Sequence, residues 1–92
     1  MALKVLVTYK MKPGHRDAFL ADTAAIRPEI LKEDGCLQYD YHLSCEEKDT
    51  VVLIECWRDA AALAAHAAAP HMARVAAMKE GRVKETNLKR YE

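Results

Sequence analysis

Glu55 stands in an otherwise apolar, strand-forming run, Thr50-Val51-Val52-Leu53-Ile54-Glu55-Cys56-Trp57. A carboxylate among such neighbours must find a partner, change its pKa or line a wet cavity. Two imidazoles follow, His66 in an alanine-rich stretch and His71 in Pro70-His71-Met72. One acid and two ring-nitrogen groups close to one sheet are the parts of an acid/base pocket. Glu55 could act as a general base or hold an imidazole in one tautomer. An ion pair with Arg58 or another basic side chain would explain it equally well. His66 is the leading site residue, because the small alanines around it leave room for a ligand. The alternative is a partly exposed histidine in a segment rich in helix formers. His71 comes one residue after a helix-starting proline, where it is a candidate polarising group or a local hydrogen-bond cap.

Trp57, Phe19, Tyr39 and Tyr41 could stack on an aromatic ligand, with core packing as the competing role. His42 shares a strand face with Gln38 and Asp40, and either reaches the pocket or decorates an interface. A metal site is not expected. His66 and His71 are five apart with a proline between them, unlike the i, i+4 histidines of a zinc helix. A third ligand would have to come from Glu55 or His42. No glycine-rich phosphate loop is present, so nucleotide cofactors have no cradle.

Those side chains must be placed by a small scaffold. At 92 residues the chain is read as one domain, 1–92, whose modest core would gain from oligomerisation. The hydrophobic share is 51% and the formal net charge is zero, which argues against disorder and against nucleic-acid binding. No apolar run nears the ~20 residues that span a bilayer. Met1 to Val5 reads as a strand start without the apolar core of a signal peptide. Cys36, Cys45 and Cys56 include no CxxC pair, so reduced thiols and a cytoplasmic location are expected.

Leu3 to Lys10 alternates, placing Leu3, Val5, Val7 and Tyr9 on one face. Pro13-Gly14 marks a turn. From about His15 the period becomes helical, with Phe19, Thr23, Ile26 and Ile30 on one stripe. Pro28 should kink or interrupt that helix, and Gly35 should end the helical region. Cys36 to Ser44 alternates again, with Leu37, Tyr39, Tyr41 and Leu43 on one side. The polar loop 45–49 turns it into the Thr50–Trp57 strand as a hairpin. Asp59 suits an N-cap for a helix from Ala60 to about Ala68. Pro70 suits the first position of another helix, running to about Lys79, with Gly81 as its stop. Val83 to Tyr91 closes the chain as a strand. The order is α+β, a ferredoxin-like βαββαβ plan with a four-stranded antiparallel sheet and helices on one face. The first and third strands carry apolar residues on both faces, so a partner sheet in a homodimer is expected to cover the second.

Glu33-Asp34-Gly35-Cys36-Leu37-Gln38-Tyr39-Asp40-Tyr41-His42, then Glu55-Cys56-Trp57-Arg58-Asp59, then His66 with Pro70-His71-Met72, resembles the antibiotic biosynthesis monooxygenase domain. The resemblance spans nearly the whole chain. It implies a dimeric α+β barrel, two sheets packed face to face, with a pocket between sheet and helices in each subunit. Relatives of this kind oxidise quinols or phenols with dioxygen and no metal or flavin; others cleave haem or process a phosphorylated sugar. The asparagine, tryptophan and axial histidine of the haem-cleaving members have no counterpart here. Their strand position lacks asparagine, His66 stands where tryptophan is expected, and Ala76 where the axial histidine is. Leu53 replaces the asparagine of polyketide-oxidising members.

The leading expectation is a cofactor-independent monooxygenase for a small quinol or phenolic aromatic. His66 would be its base, Glu55 the orienter of His66, His71 a polarising partner and Trp57 a pocket wall. The alternatives are an isomerase or binding protein for a small polar or phosphorylated metabolite, with Arg58 and Arg74 as sources of positive charge, and a non-catalytic stress-response dimer.

Overall fold

Alternation along the first strand decides which side of the sheet becomes the core. In the computed structural model, which describes residues 2–92, β1 (Leu3–Met11) buries Leu3, Val5, Val7, Tyr9 and Met11. Met1 lies outside the described residues. The order continues with α1 (Arg16–Leu31), β2 (Cys36–Leu43), β3 (Thr50–Trp57), α2 (Ala60–Ala68), α3 (Met72–Lys79) and β4 (Val83–Tyr91). The four strands form one antiparallel sheet in the order β2-β3-β1-β4. This is the ferredoxin-like α+β plan, with β1 and β3 central.

The buried stripe of α1 is Phe19, Thr23, Ile26 and Ile30, which matches the sequence period. Phe19 packs edge-on between Tyr9 and Tyr41, with ring centroids 5.6 and 6.0 Å away. The helix runs through Pro28 rather than breaking there. Pro28 is on the exposed side of α1, where water can take the carbonyl that loses its amide partner. Asp59 caps α2 by accepting the Ala62 amide at 2.9 Å. The last helix starts later than Pro70 suggests, with His71 as its N-cap. Ala69 N–H bonds the His66 carbonyl, so Pro70 serves the turn between α2 and α3.

One strand departs from simple alternation. Cys36 pairs with Trp57 while Gln38 pairs with Cys56, so a bulge falls at Leu37. Leu37 is thereby turned out of the core side and is 61% exposed, and Leu43 at the strand end is 47% exposed. Tyr39 and Tyr41 keep the helix-facing side.

The turn from α1 into β2 is fixed by Gly35, whose φ is +84°. A Cβ there would lie 2.5 Å from the Ala62 Cβ on α2. Only glycine allows this approach, and Arg58 N–H closes it by donating to the Gly35 carbonyl at 2.8 Å. Gly35→Ala combines left-handed strain of ~1–2 kcal/mol with a backbone-to-helix clash of ~1–3 kcal/mol. Urea unfolding should show a loss of at least about 2 kcal/mol, and an unchanged midpoint would mean the turn is not packed this way.

Candidate active site

Glu33 is the group that organises the site, and it lies in the turn directly after α1. Its backbone N–H donates to the Ile30 carbonyl at 3.0 Å, and its own carbonyl accepts from Cys36 N–H at 3.1 Å. That turn aims the side chain at the junction of α2 and α3. His66 Nδ1 lies 2.9 and 3.1 Å from the two Glu33 oxygens, and His71 Nε2 lies 2.9 Å from Oε2. A carboxylate only accepts, so both facing ring nitrogens carry the hydrogen. For a neutral His66 this fixes the Nδ1–H tautomer and leaves the Nε2 lone pair free.

The far side of the His66 ring faces Glu55. His66 Nε2 is 4.0 Å from Glu55 Oε1, beyond a direct hydrogen bond. Glu55 Oε1 instead accepts from Trp57 Nε1–H at 2.9 Å. The two residues are two apart on one strand and so share a face. Trp57 also packs against the His66 ring, with centroids 4.4 Å apart and planes 34° apart. Burial pushes the Glu55 carboxyl up from its ordinary value, against the opposing pull of the Trp57 bond and of His66. Burial likewise pushes up the phenols of Tyr39 and Tyr9, so they stay protonated donors at neutral pH.

His66 and Glu55 open onto a cavity of about 270 Å³ between the sheet and α2/α3. That is near the lower end of ligand pockets, ~300 Å³, and suits a small ligand. Its walls are mostly apolar, with Val5, Val7, Leu63, Met72 and the alanines of α2, and Tyr39 adds a phenol. His66 and Glu55 are only 4% and 6% exposed, so neither points into bulk water.

Several sequence-derived positions move. His42 pairs with Val52 on the sheet face away from the helices, so it is not part of this cavity. Its odd spacing from Tyr39 puts it on the other side of the strand. Phe19 and Trp57 are fully buried; Phe19 packs the core and Trp57 acts through Glu55 and His66 rather than as a cavity wall. Tyr41 borders a separate groove beside α1 with Arg27 and Asp40. Glu55 orients Trp57, and the orienter of His66 is Glu33. Nor is Glu55 paired with Arg58, which binds Asp34 and Asp59. His71 makes no capping bond, because its ring goes to Glu33.

Glu33, His66 and His71 also offer three ligand atoms within 4.8 Å of one another, so Glu33 supplies the third group that neither Glu55 nor His42 provides. Two imidazoles and a carboxylate could hold a divalent transition metal. The same distances are met by hydrogen bonds alone, and among the described residues no buried side-chain polar atom lacks a partner.

Residues 2–78 match the model of the antibiotic biosynthesis monooxygenase family. The chain belongs to that family. It is 35% identical to a protein of Escherichia coli described as "Probable quinol monooxygenase YgiN", over 95% of this chain and 93% of that one. Among solved structures, PA3566 from Pseudomonas aeruginosa superposes with a TM-score of 0.88 at 30% identity, covering 98% of this chain and 91% of that one. A crystal structure titled antibiotic biosynthesis monooxygenase superposes with a TM-score of 0.87 at 26% identity, covering 98% and 96%. Membership agrees with the geometry at hand, a mostly apolar cavity bordered by an imidazole whose Nδ1 faces a carboxylate. No helix of the described chain is long and apolar enough to cross a membrane.

Glu33→Ala strips both imidazoles of their acceptor and should cost about 3 kcal/mol in urea unfolding. On the hydrogen-bond reading EDTA leaves the wild-type melting temperature unchanged. A fall that zinc reverses would instead make the three residues a metal site. For Glu55 the sign follows from a folded pKa above the unfolded value. Its carboxyl is neutral in both states at low pH, and stability falls as pH rises from the ordinary carboxylate value through the raised one. Glu55→Gln keeps the acceptor for Trp57 and has no charge to bury. Its stability relative to wild type should therefore grow across that window, measured by urea unfolding at pH 4 and pH 7; a constant difference would contradict the buried-carboxyl assignment.

Proposed function

We propose that the protein is a cofactor-independent monooxygenase that oxidises a small quinol or related phenolic aromatic with dioxygen. The observation that carries this is the His66 ring, pinned at Nδ1 by Glu33 with Nε2 on the side of Glu55, His66 and Glu55 both lining a mostly apolar cavity. His66 Nε2 removes the phenolic proton, and Glu33 balances the imidazolium that forms. The resulting electron-rich anion reduces dioxygen directly. For a hydroquinone the balance is quinol plus O₂ giving hydroxyquinone plus water. The ring loses four electrons, dioxygen gains them, one oxygen atom enters the ring and the other leaves as water. Glu55, kept toward its neutral form by burial, returns a proton to the departing oxygen. The dry walls protect the anion from competing protonation by solvent. His71 holds the shared Glu33 carboxylate in place and so acts as a positioning residue. No metal or flavin is required by this sequence of steps.

The working unit is proposed to be a homodimer joined through the outer sheet face. Leu6, Val52 and Ile54 lie there, each only partly covered. A chain of this size gains much from covering such a surface.

A second reading, an isomerase or binding protein for an anionic metabolite, is favoured by Lys79 and Arg90 at the cavity. Oxygen uptake with a panel of hydroquinones separates the two. Turnover is expected, with His66→Ala lowering kcat/KM by roughly 10²–10⁴-fold in protein that remains folded. An unchanged rate removes His66 from the mechanism, and no uptake with any quinol sinks the monooxygenase reading. Sedimentation should give twice the 10.4 kDa chain mass, and Ile54→Asp should yield monomer; a monomeric wild type contradicts the dimer.

A further inference from the structure

Of the six arginines, five reach a carboxylate oxygen. Arg16 meets Asp17 at 3.0 Å, Arg27 meets Asp40 at 2.6 Å and Arg58 meets Asp34 at 3.1 Å. Arg74 meets Glu29 at 3.0 Å and Arg82 meets Asp22 at 2.6 Å. Arg58 and Arg74, the sources of positive charge suggested by sequence, are therefore already neutralised. Arg90 is the sixth, and among the described residues it has no carboxylate within 4.0 Å. It lines the cavity.

Lys79 is the other cation on the cavity wall and likewise has no ion pair among the described residues. Its Nζ sits 5.0 Å from the centre of the Tyr9 ring, a cation–π placement that holds the ammonium over an aromatic face. Burial disfavours its charge, and Glu55 is the group that supports it. Two cations thus face a space whose one carboxyl is itself pushed toward the neutral form. Exposed lysines without partners are commonplace. A half-buried lysine and an exposed arginine that border one mostly apolar cavity, neither in an ion pair among the described residues, leave positive charge at its mouth for a ligand to meet.

The sheet register sets the layout. Val5 pairs with Glu55 on one side and with Arg90 on the other. Neighbouring strands lie ~4.8 Å apart, so the Glu55 and Arg90 backbones stand about 10 Å apart across the cavity floor. The acid/base end, with His66 and Glu55, is at the β3 side. The cationic end opens at β4, where Leu88 is 53% exposed.

Resting on the monooxygenase reading above, we propose that the substrate of this site carries a compact oxyanion substituent, carboxylate or phosphate, bound by Arg90 and Lys79 while its phenolic ring lies against His66. The guanidinium supplies paired donors to such a group, and the partly dry setting strengthens the attraction. The anion orients the ring and keeps its hydroxyl at the His66 end. A neutral quinol of the same size would lose that anchor.

The test is calorimetric binding under nitrogen, which needs no turnover. The probes are hydroquinone, 2,5-dihydroxybenzoate and hydroquinone monophosphate. At least one anionic probe is expected to bind about tenfold or more tighter than hydroquinone, with affinity falling as salt rises. The tighter of the two identifies the oxyanion. Arg90→Gln and Lys79→Met should each erase most of that preference, weakening the anionic probe far more than hydroquinone. Equal affinity for neutral and charged probes, no binding by either anion, or a preference untouched by both variants overturns the proposal. Anion-selective binding without oxygen uptake would sink the monooxygenase reading alone, whereas turnover of quinols with no anion preference would sink this inference alone.

Discussion

One shared carboxylate holds the site together. Glu33 bonds two imidazoles from α2 and from the start of α3, and so joins the turn after α1 to the α2–α3 junction, 33 and 38 positions further along the chain. Removing it leaves two largely buried N–H groups without an acceptor, which is costly because they have already given up water. The same bond decides the chemistry. It dictates which nitrogen of His66 bears the proton, and hence that the basic lone pair is on the side of Glu55, the acid lining the cavity. Structure and reactivity here are consequences of a single contact.

The fold supplies the support for that contact. Gly35 lets the α1–β2 turn touch Ala62, and Ala62 is four residues before His66, on the same face of α2. Asp59 fixes the start of α2, which sets the rotation of His66 about the helix axis. From below, Trp57 stacks on the ring and ties down Glu55. The β3 strand thus provides both the floor and the second carboxyl. The site is carried by a helix and a strand, with only Glu33 in a turn, and that turn is held by backbone bonds.

Much of the scaffold could be read from the sequence because its signals are local. The period of Phe19, Thr23, Ile26 and Ile30, the alternation of β1 and the Asp59 cap each depend on residues a few positions apart. Two local signals misled. Pro28 proved compatible with an unbroken α1 because it faces solvent, and Leu37 left the core because a bulge shifted the register, which no alternation pattern reveals. The site was half legible. His66, Glu55 and their common cavity follow from a polar group set among apolar strand and small helical residues. Glu33 was hidden in the run Lys32-Glu33-Asp34, which reads as an ordinary charged helix end. Its role depends on a contact across 33 positions, and nothing in its neighbourhood signals that. The Glu55–Trp57 bond was accessible in principle, since residues two apart on a strand share a face. His42 fails by the same rule.

On the proposed reading, a base of fixed tautomer makes the substrate its own reductant toward dioxygen, and the protein needs only to keep water away and place the ring. Direct observation of the histidine nitrogens is the sharpest check. Two-dimensional NMR correlating ring protons with ¹⁵N in labelled protein, at a pH where the ring is neutral, reports which nitrogen of His66 is protonated. A protonated Nδ1 and an unprotonated Nε2 are predicted, with the Nδ1 signal altered in Glu33→Gln. An Nε2–H tautomer of His66 in the wild type would contradict the Glu33-directed base and the mechanism built on it.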